Sequence, residues 1–347
     1  MPRPPLPDAS LICTQPFEWC EIREDGRVFL CCPSWLKLPI GNLLQQSLEE
    51  IWNGSEARRI RTSVLDASLQ YCNPRRCPRR ATLTAPVQRL GEVTDPEVLA
   101  ALRGRKTRLP YGPKKLNLCY DRSCNLSCSS CRSQPWAPTR EARDLVDRIT
   151  GRLRQQAAAR VQTLIVSGSG DPFVSAAYRD LLQGINAVDF PRLQSIELHS
   201  NGLLWNQALW ASLGAIHPYV QLAEISVDAA SAATYAANRG GDFGCLLENL
   251  AYVATLPIGV KLSCVVQANN FRELPAFAAL AAAHGFSAYC SQLVNWGTFS
   301  RGEFAERAVH LPEHPQHDEF KGVLGEIALL PHVDLGNLRS LLVEVSG

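Results

Sequence analysis

From Lys114 onward, short apolar runs of strand length alternate with amphipathic stretches of helical length. The runs at 115–120, 163–167, 195–200, 221–228, 260–267 and 288–295 predict six strands. Amphipathic stretches at 143–154, 178–185, 208–216, 246–256 and 274–284 predict the helices between them, and the Ala-rich 275–284 stretch reads as a packed helix. Strand–helix alternation implies an α/β fold with a parallel sheet and right-handed crossovers. In such sheets ligands bind at the carboxyl ends of the strands.

Residues 1–80 have another texture: rich in Cys and Trp, without the alternation. Residues 81–113 read as a linker punctuated by Pro86, Gly91, Pro96, Gly104, Pro110 and Pro113. Residues 114–300 form the expected core and 301–347 an extension carrying His310, His314, His317 and His332. The His314-x2-His317 spacing allows a metal, but a solvent-exposed loop is the plainer reading.

At 347 residues the chain accommodates one large domain and a small one, and 46% hydrophobic residues support a buried core. A formal net charge of +2 gives no field that would gather nucleic acid or an acidic membrane. No apolar run reaches spanning length, and the opening MPRPPLPD lacks the apolar stretch of a signal peptide. A cytoplasmic location is therefore expected, with the 13 cysteines as metal ligands and buried thiols rather than disulfides.

Three of those cysteines carry the chemistry. Segment 116–132 reads LNLCYDRSCNLSCSSCR and places Cys124, Cys128 and Cys131 at C-x3-C-x2-C spacing. Three thiolates on one short loop can hold three irons of a [4Fe–4S] cluster and leave the fourth open. A zinc site wants four protein ligands, usually in C-x2-C pairs. A disulfide framework belongs in a small secreted domain, and a thioredoxin-like motif is C-x-x-C alone. Chance clustering among so many cysteines is the remaining alternative.

The loop, following a strand-like run, resembles the cluster loop of the radical S-adenosylmethionine (SAM) superfamily, and later motifs extend the resemblance. Ser167-Gly168-Ser169-Gly170-Asp171-Pro172 resembles the family's GEP-type motif at the methionine amino group, though it also suits an ordinary Gly-rich turn. His199-Ser200-Asn201-Gly202 resembles its T-N-G turn, and Ser226-Val227-Asp228 its S-x-D motif near the ribose and carboxylate. Arg239 suits the SAM carboxylate through its bidentate fork, or a solvated helix face. The resemblance thus implies a partial (β/α)6 barrel, with Gly168, Gly170, Asp171, Pro172, Asn201, Ser226, Asp228 and Arg239 at SAM. One departure stands out: the family's aromatic residue before the third cysteine is Ser130 here.

The N-terminal cysteines are Cys13, Cys20, Cys31, Cys32, Cys72 and Cys77. Interleaved with Gln15-Pro16-Phe17, Asp25-Gly26-Arg27-Val28, Gly41-Asn42-Leu43 and Glu50-Ile51-Trp52-Asn53, they resemble the SPASM/twitch auxiliary-cluster domain. The resemblance implies one auxiliary [4Fe–4S] cluster on Cys13, Cys31, Cys72 and Cys77, with Cys20 and Cys32 in reserve. A structural zinc site is the alternative.

The resemblance also implies a reaction. An electron from a reductant such as flavodoxin or ferredoxin cleaves SAM to a 5′-deoxyadenosyl radical. That radical abstracts hydrogen from a peptide or sugar-like substrate. The auxiliary cluster accepts an electron in oxidation or cross-linking. A redox-neutral epimerase would instead use a cysteine hydrogen donor, for which Cys119 and Cys290 are the candidates on strands. A non-catalytic iron–sulfur or zinc scaffold is the other alternative. Period-two alternation puts Glu197, His199, Glu224, Ser226, Asp228, Lys261, Ser263 and Gln267 on candidate substrate-facing positions.

Overall fold

Alternating burial marks the strands: Ser195–Ser200 alternates half-buried and buried residues along its whole length. The computed structural model describes residues 6–74, 76–83, 86–132, 134, 136 and 138–342. Twelve strands occur among them: β1 (Leu11–Cys13), β2 (Trp19–Arg23), β3 (Arg27–Phe29), β4 (Gly41–Asn42), β5 (Val87–Arg89), β6 (Lys115–Cys119), β7 (Thr163–Val166), β8 (Ser195–Ser200), β9 (Val220–Ser226), β10 (Gly259–Val266), β11 (Ser287–Gln292) and β12 (Val333–Asp334). The six strands expected from the sequence are β6 to β11, some trimmed at their ends. The expected helices are present as Arg140–Gln156, Ala176–Gln183, Gln207–Ser212, Phe243–Val253 and Leu274–Ala283. The α/β class is the one observed.

The chain divides into two compact units, residues 1–122, 138–169 and 180–196, and residues 123–137, 170–179 and 197–347. In the first, the hydrogen-bonded order is β4-β3-β2-β6-β7. β6 runs parallel to both β2 and β7, while β3 is antiparallel to β2 and β4. β1 and β5 form a separate antiparallel pair.

β2 departs from the sequence expectation, which saw no such strand in residues 1–80. Its run, WCEIR, is short and carries Glu21 at a buried position, so periodicity does not reveal it. Pairing with β6 brings Glu21 opposite Asn117, whose Nδ2 donates to the Glu21 carboxylate at 3.1 Å. Arg23 Nη1 donates to the same carboxylate at 3.0 Å. A buried carboxylate is tolerable only with such partners.

The stretch expected as a linker also carries structure. It holds β5 and the helix Pro96–Arg103, whose N-cap Asp95 accepts from Glu97 N and Val98 N. Buried Lys114 Nζ lies 2.6 Å from Asp95 and 2.7 Å from Glu97, tying that helix to the start of β6. Proline and glycine here punctuate packed elements rather than open chain.

In the second unit the order is β12-β11-β10-β9-β8, with β9–β10, β10–β11 and β11–β12 parallel. The helix Phe243–Val253 begins where Asp242 accepts from Cys245 N, and Ser231 does the same at Thr234 N for Ala232–Arg239. Among the described residues no helix is long and apolar enough to cross a membrane.

The histidines of the extension are committed to structure. His314 Nε2 lies 3.0 Å from Glu306 O, and its Nδ1 accepts the Gln316 N–H at 3.1 Å. His317 Nδ1 lies 3.1 Å from Val309 O. Both His314 nitrogens are thus occupied, which disfavours the metal alternative. Burial, and then His317 and His314, push the His310 ring down to about 4. The folded state holds this ring neutral, whereas an unfolded histidine protonates near pH 6.5. Its stabilising contribution is complete above about pH 6.5 and is lost as pH falls toward 4, amounting to at most about 3 kcal/mol. Urea unfolding at pH 7 and pH 4.5 should therefore show a smaller loss of stability for His310→Gln than for the wild type. An equal loss in both would refute this assignment.

Candidate functional site

In the second unit one buried carboxylate draws three loop segments together. Asp171 is 1% exposed, too deep for its charge to rest on water. It accepts from Ser200 Oγ at 2.9 Å, Asn201 N at 2.8 Å and Phe173 N at 2.9 Å. Its own N–H donates to Ser123 O at 2.8 Å, on the residue before Cys124. Burial raises the Asp171 carboxyl pKa, opposed by the donors from Asn201, Phe173 and Ser200. The Gly-rich turn, the Ser200-Asn201-Gly202 turn and the start of the cysteine loop thus share one anchor. The Asp171 side chain is spent on protein donors, with Gly170 before it and the buried Pro172 after it.

The second turn then reaches the cysteine loop. Asn201 Nδ2 lies 3.7 Å from Cys124 Sγ and donates to Asn125 Oδ1 at 2.7 Å. Gly202 follows with φ +80, where a Cβ would press on Leu246 and Ile225 at 2.8 and 2.9 Å. Only glycine takes this bend without strain.

Asp228, one residue past Val227 at the end of β9, holds φ +60, an uncommon conformation for a side chain-bearing residue. Four hydrogen bonds impose it. Asn238 and Asn270 donate to its carbonyl at 2.9 and 3.0 Å. Val265 N donates to Oδ1 at 2.7 Å and Arg239 Nη1 to Oδ2 at 3.0 Å. The Arg239 side chain is mostly covered, at 12% exposed. Burial alone would favour discharge, but the Cys128 thiol and the Asp228 carboxylate outweigh it and raise its pKa. Its Nε–H has no partner among the described residues. A buried unused donor beside an ion pair and a thiol suits an acidic ligand group. Arg239 is thus not a solvated helix residue.

Of the three loop thiols, Cys128 is buried, Cys124 half-buried and Cys131 exposed. Burial pushes Cys128 up to about 11, against a lowering by Arg239, and also raises Cys124. Unligated Cys124 and Cys128 therefore stay protonated, and a bound metal centre would displace their protons. Arg132, 7% exposed, points Nη2 at Cys131 Sγ from 3.9 Å. Sequence reasoning passed over Arg132, although its place directly after Cys131 is a signal. Thr298 Oγ1 lies 3.5 Å from Ser130 O, at the position that departs from the family pattern.

Beyond these turns a polar row crosses β9, β10 and β11. Glu224 pairs with Lys261 at 2.7 Å, and Lys261 Nζ lies 4.8 Å from the Tyr289 ring centroid. Burial opposes the charge of Glu224, but His199, then Lys261 and Ser263, hold its carboxyl below the usual range. Ser263 Oγ donates to Ser226 Oγ at 3.3 Å. These expected substrate-facing residues do share a face. Gln267 differs: it lies past the end of β10, buried, with its N–H donating to Asn270 Oδ1 and its Oε1 accepting from Arg307.

The first unit sorts the N-terminal cysteines. Cys13 ends β1, Cys31 follows β3, and Cys77 caps the helix Pro78–Thr82. After burial, Cys72 and Cys77 are among the groups that raise the Cys13 thiol to about 12. Cys13 and Cys77 likewise act on Cys31, whose Sγ accepts from Trp35 Nε1 at 3.0 Å. Cys13, Cys31, Cys72 and Cys77 therefore keep company. Cys20 is fully buried in β2 beside Glu21 and Arg61. Burial, and then Glu21, raise Cys32 to about 11, and Cys32 also acts on its neighbour Cys31, so it lies between the β2 carboxylate and this group. Among the described residues no three such donors meet around one ion-sized point. A cubane asks for something wider, since each thiolate binds its own iron.

The two candidate hydrogen donors part ways. Cys119 shares the Asn117 face of β6 and is so close to Gly168 that a Cβ there would collide with its sulfur. The close approach of Cys119 alone requires glycine at position 168. Burial keeps Cys119 protonated. Cys290 lies one residue after Tyr289 and so projects to the opposite face of β11, beside Cys264. Cys290 thus does not share the face of Tyr289 and Lys261.

Residues 13–78 match the model of the SPASM iron–sulfur cluster-binding domain. Over 174 residues the chain is 30% identical to mycofactocin maturase MftC of Mycolicibacterium smegmatis, covering 47% of this chain and 40% of that protein. The chain thus spans well under half the length of this curated relative. Among solved structures, Streptococcus suis SuiB bound to S-adenosylmethionine aligns over 94% of this chain and 69% of its own, at 12% identity and TM-score 0.45. Native anSMEcpe with bound AdoMet and Cp18Cys peptide aligns over 55% of this chain and 53% of its own, at 17% identity and TM-score 0.42. The N-terminal cysteine segment is thereby matched to an iron–sulfur cluster-binding domain, ahead of the loop that carries Cys124, Cys128 and Cys131.

Asp171→Ala would strand three buried or half-buried donors and should cost about 2–4 kcal/mol. Asp171→Asn, which keeps an acceptor, should cost less. Denaturant unfolding of the two variants checks the order, and equal stability of Asp171→Ala and wild type would remove the anchor role.

Proposed function

We propose that the chain is a radical SAM enzyme that modifies a peptide. Its cluster sits on Cys124, Cys128 and Cys131, and an auxiliary [4Fe–4S] cluster sits on Cys13, Cys31, Cys72 and Cys77. The observation that carries this reading is the Asp171 anchor. It gathers the Gly-rich turn, the Asn201 turn and the cysteine loop, three motifs far apart in sequence, at one place. The maturase similarity favours a peptide over a sugar-like substrate. In domain terms, residues 1–80 form the auxiliary region, 114–300 the catalytic core and 301–347 an extension. A cytoplasmic setting keeps the thiols reduced, and a flavodoxin- or ferredoxin-type protein supplies electrons.

A cluster held by these cysteines would, with SAM bound, supply one-electron reductive chemistry able to activate an otherwise inert C–H bond. The chain's own residues bind and orient. Arg239 would offer its unused Nε–H to the SAM carboxylate while Asp228 fixes its Nη1. Asn201 holds the loop at Cys124. Glu224, Lys261 and Tyr289 present a charged and aromatic row for a polar substrate segment. Holding the substrate carbon in place and excluding water are the protein's share of the catalysis.

A second reading rests on Cys119. A thiol that burial keeps protonated can return a hydrogen atom, as a redox-neutral epimerisation requires. Cys119 supports this reading better than Cys290, which lies beside Cys264 on the face opposite Tyr289.

The test uses anaerobically reconstituted protein in which Cys124, Cys128 and Cys131 are replaced by alanine. With SAM and dithionite the wild type should release 5′-deoxyadenosine and the variant none. The variant should still hold about four irons, as one [4Fe–4S] cluster. Absence of 5′-deoxyadenosine from the wild type would reject the enzyme. Absence of iron from the variant would reject the auxiliary cluster.

A further inference from the structure

Each of the three loop sulfurs has a different neighbour from outside the spacing motif. Asn201 Nδ2 lies 3.7 Å from Cys124 Sγ. Arg132 Nη2 lies 3.9 Å from Cys131 Sγ. Arg239 is the cation that acts on Cys128. Spare hydrogen-bonding capacity does not account for the first two contacts. Asn201 is also held by Asn125 and by Leu203 N, the latter donating to its Oδ1 at 3.0 Å. Arg132 is buried beside the most exposed of the three thiols. There it sets a fixed positive charge where water would otherwise face the sulfur.

We propose that Arg132 and Asn201 are tuning residues that make the cluster on Cys124, Cys128 and Cys131 easier to reduce. This rests on the proposed assignment of a cluster to those three cysteines. Reduction adds one electron from the external reductant to the cluster, without a proton, so the thiolate sulfurs become more negative. Hydrogen bonds to the sulfurs and nearby positive charge favour that reduced form. A guanidinium donating to a thiolate is charge-assisted, and a buried charge is weakly screened by solvent. Arg239 shares its charge with Asp228, so its substitution would disturb that pair as well. Arg132 and Asn201 allow tuning to be read separately from it.

The experiment is a dithionite redox titration of the full-length reconstituted protein, followed by electron paramagnetic resonance. The signal that changes on addition of SAM identifies the cluster in question. Arg132→Gln should retain its iron while reduction becomes at least about tenfold less favourable, a fall of about 59 mV for one electron. Asn201→Ala should shift the same way by less, and Arg132→Lys should recover part of the loss. An unchanged midpoint in Arg132→Gln would overturn the proposal. So would loss of iron from Arg132→Gln with retention in Arg132→Lys, because Arg132 would then hold the loop rather than tune it. Failure of the cluster assignment looks different: the wild type would give no SAM-responsive signal, or would keep that signal after removal of the three cysteines.

Discussion

The second unit depends on a carboxylate that water cannot reach. Asp171 exchanges hydration for three protein donors, and its own N–H is spent on the residue before Cys124. Such an exchange is favourable only when every donor is in place. The turns after β7 and β8 and the cysteine loop are therefore not independent loops. Each is a condition for the others, so thiols on a loop without regular structure acquire a defined position.

A second constraint is burial of the thiols themselves. Desolvation raises Cys13, Cys31, Cys72, Cys124 and Cys128, so none of these ionises readily alone. A metal centre resolves the conflict by supplying the positive charge that water does not. Burial raises Cys20, Cys264 and Cys290 as well, but these lie inside strands as small apolar groups. Half-buried Cys32 and buried Cys119 form an intermediate class near Glu21 and Arg23 in the first unit.

The polar row on β9 to β11 arises from strand alternation and a single register. Lys261 stands opposite Glu224 on one side and Ser287 on the other, so its ammonium pairs across the sheet. Tyr289 completes the row from one register step further on. The same alternation turns Cys264 and Cys290 to the other face. A shift of one residue would reverse both outcomes.

Much of this was legible in the chain. Local periodicity determined β6 to β11 and their helices, because those signals lie within one element. Cysteine spacing singled out the 124–131 loop, and a pattern of turns singled out Asn201, Asp228 and Arg239. Only tertiary structure decided what each side chain touches. β2 escaped notice because a five-residue strand with a buried glutamate has no periodic signature, and Asn117 satisfies that glutamate from the neighbouring strand. Asp171 stood out only as part of a Gly-rich turn, and its partners at positions 123, 200 and 201 come together only in the fold. The company kept by Cys13, Cys31, Cys72 and Cys77, and the orientation of Cys290, were decided likewise. Sequence records which groups are present and how they alternate locally, whereas hydrogen bonding and desolvation depend on neighbours that are distant along the chain.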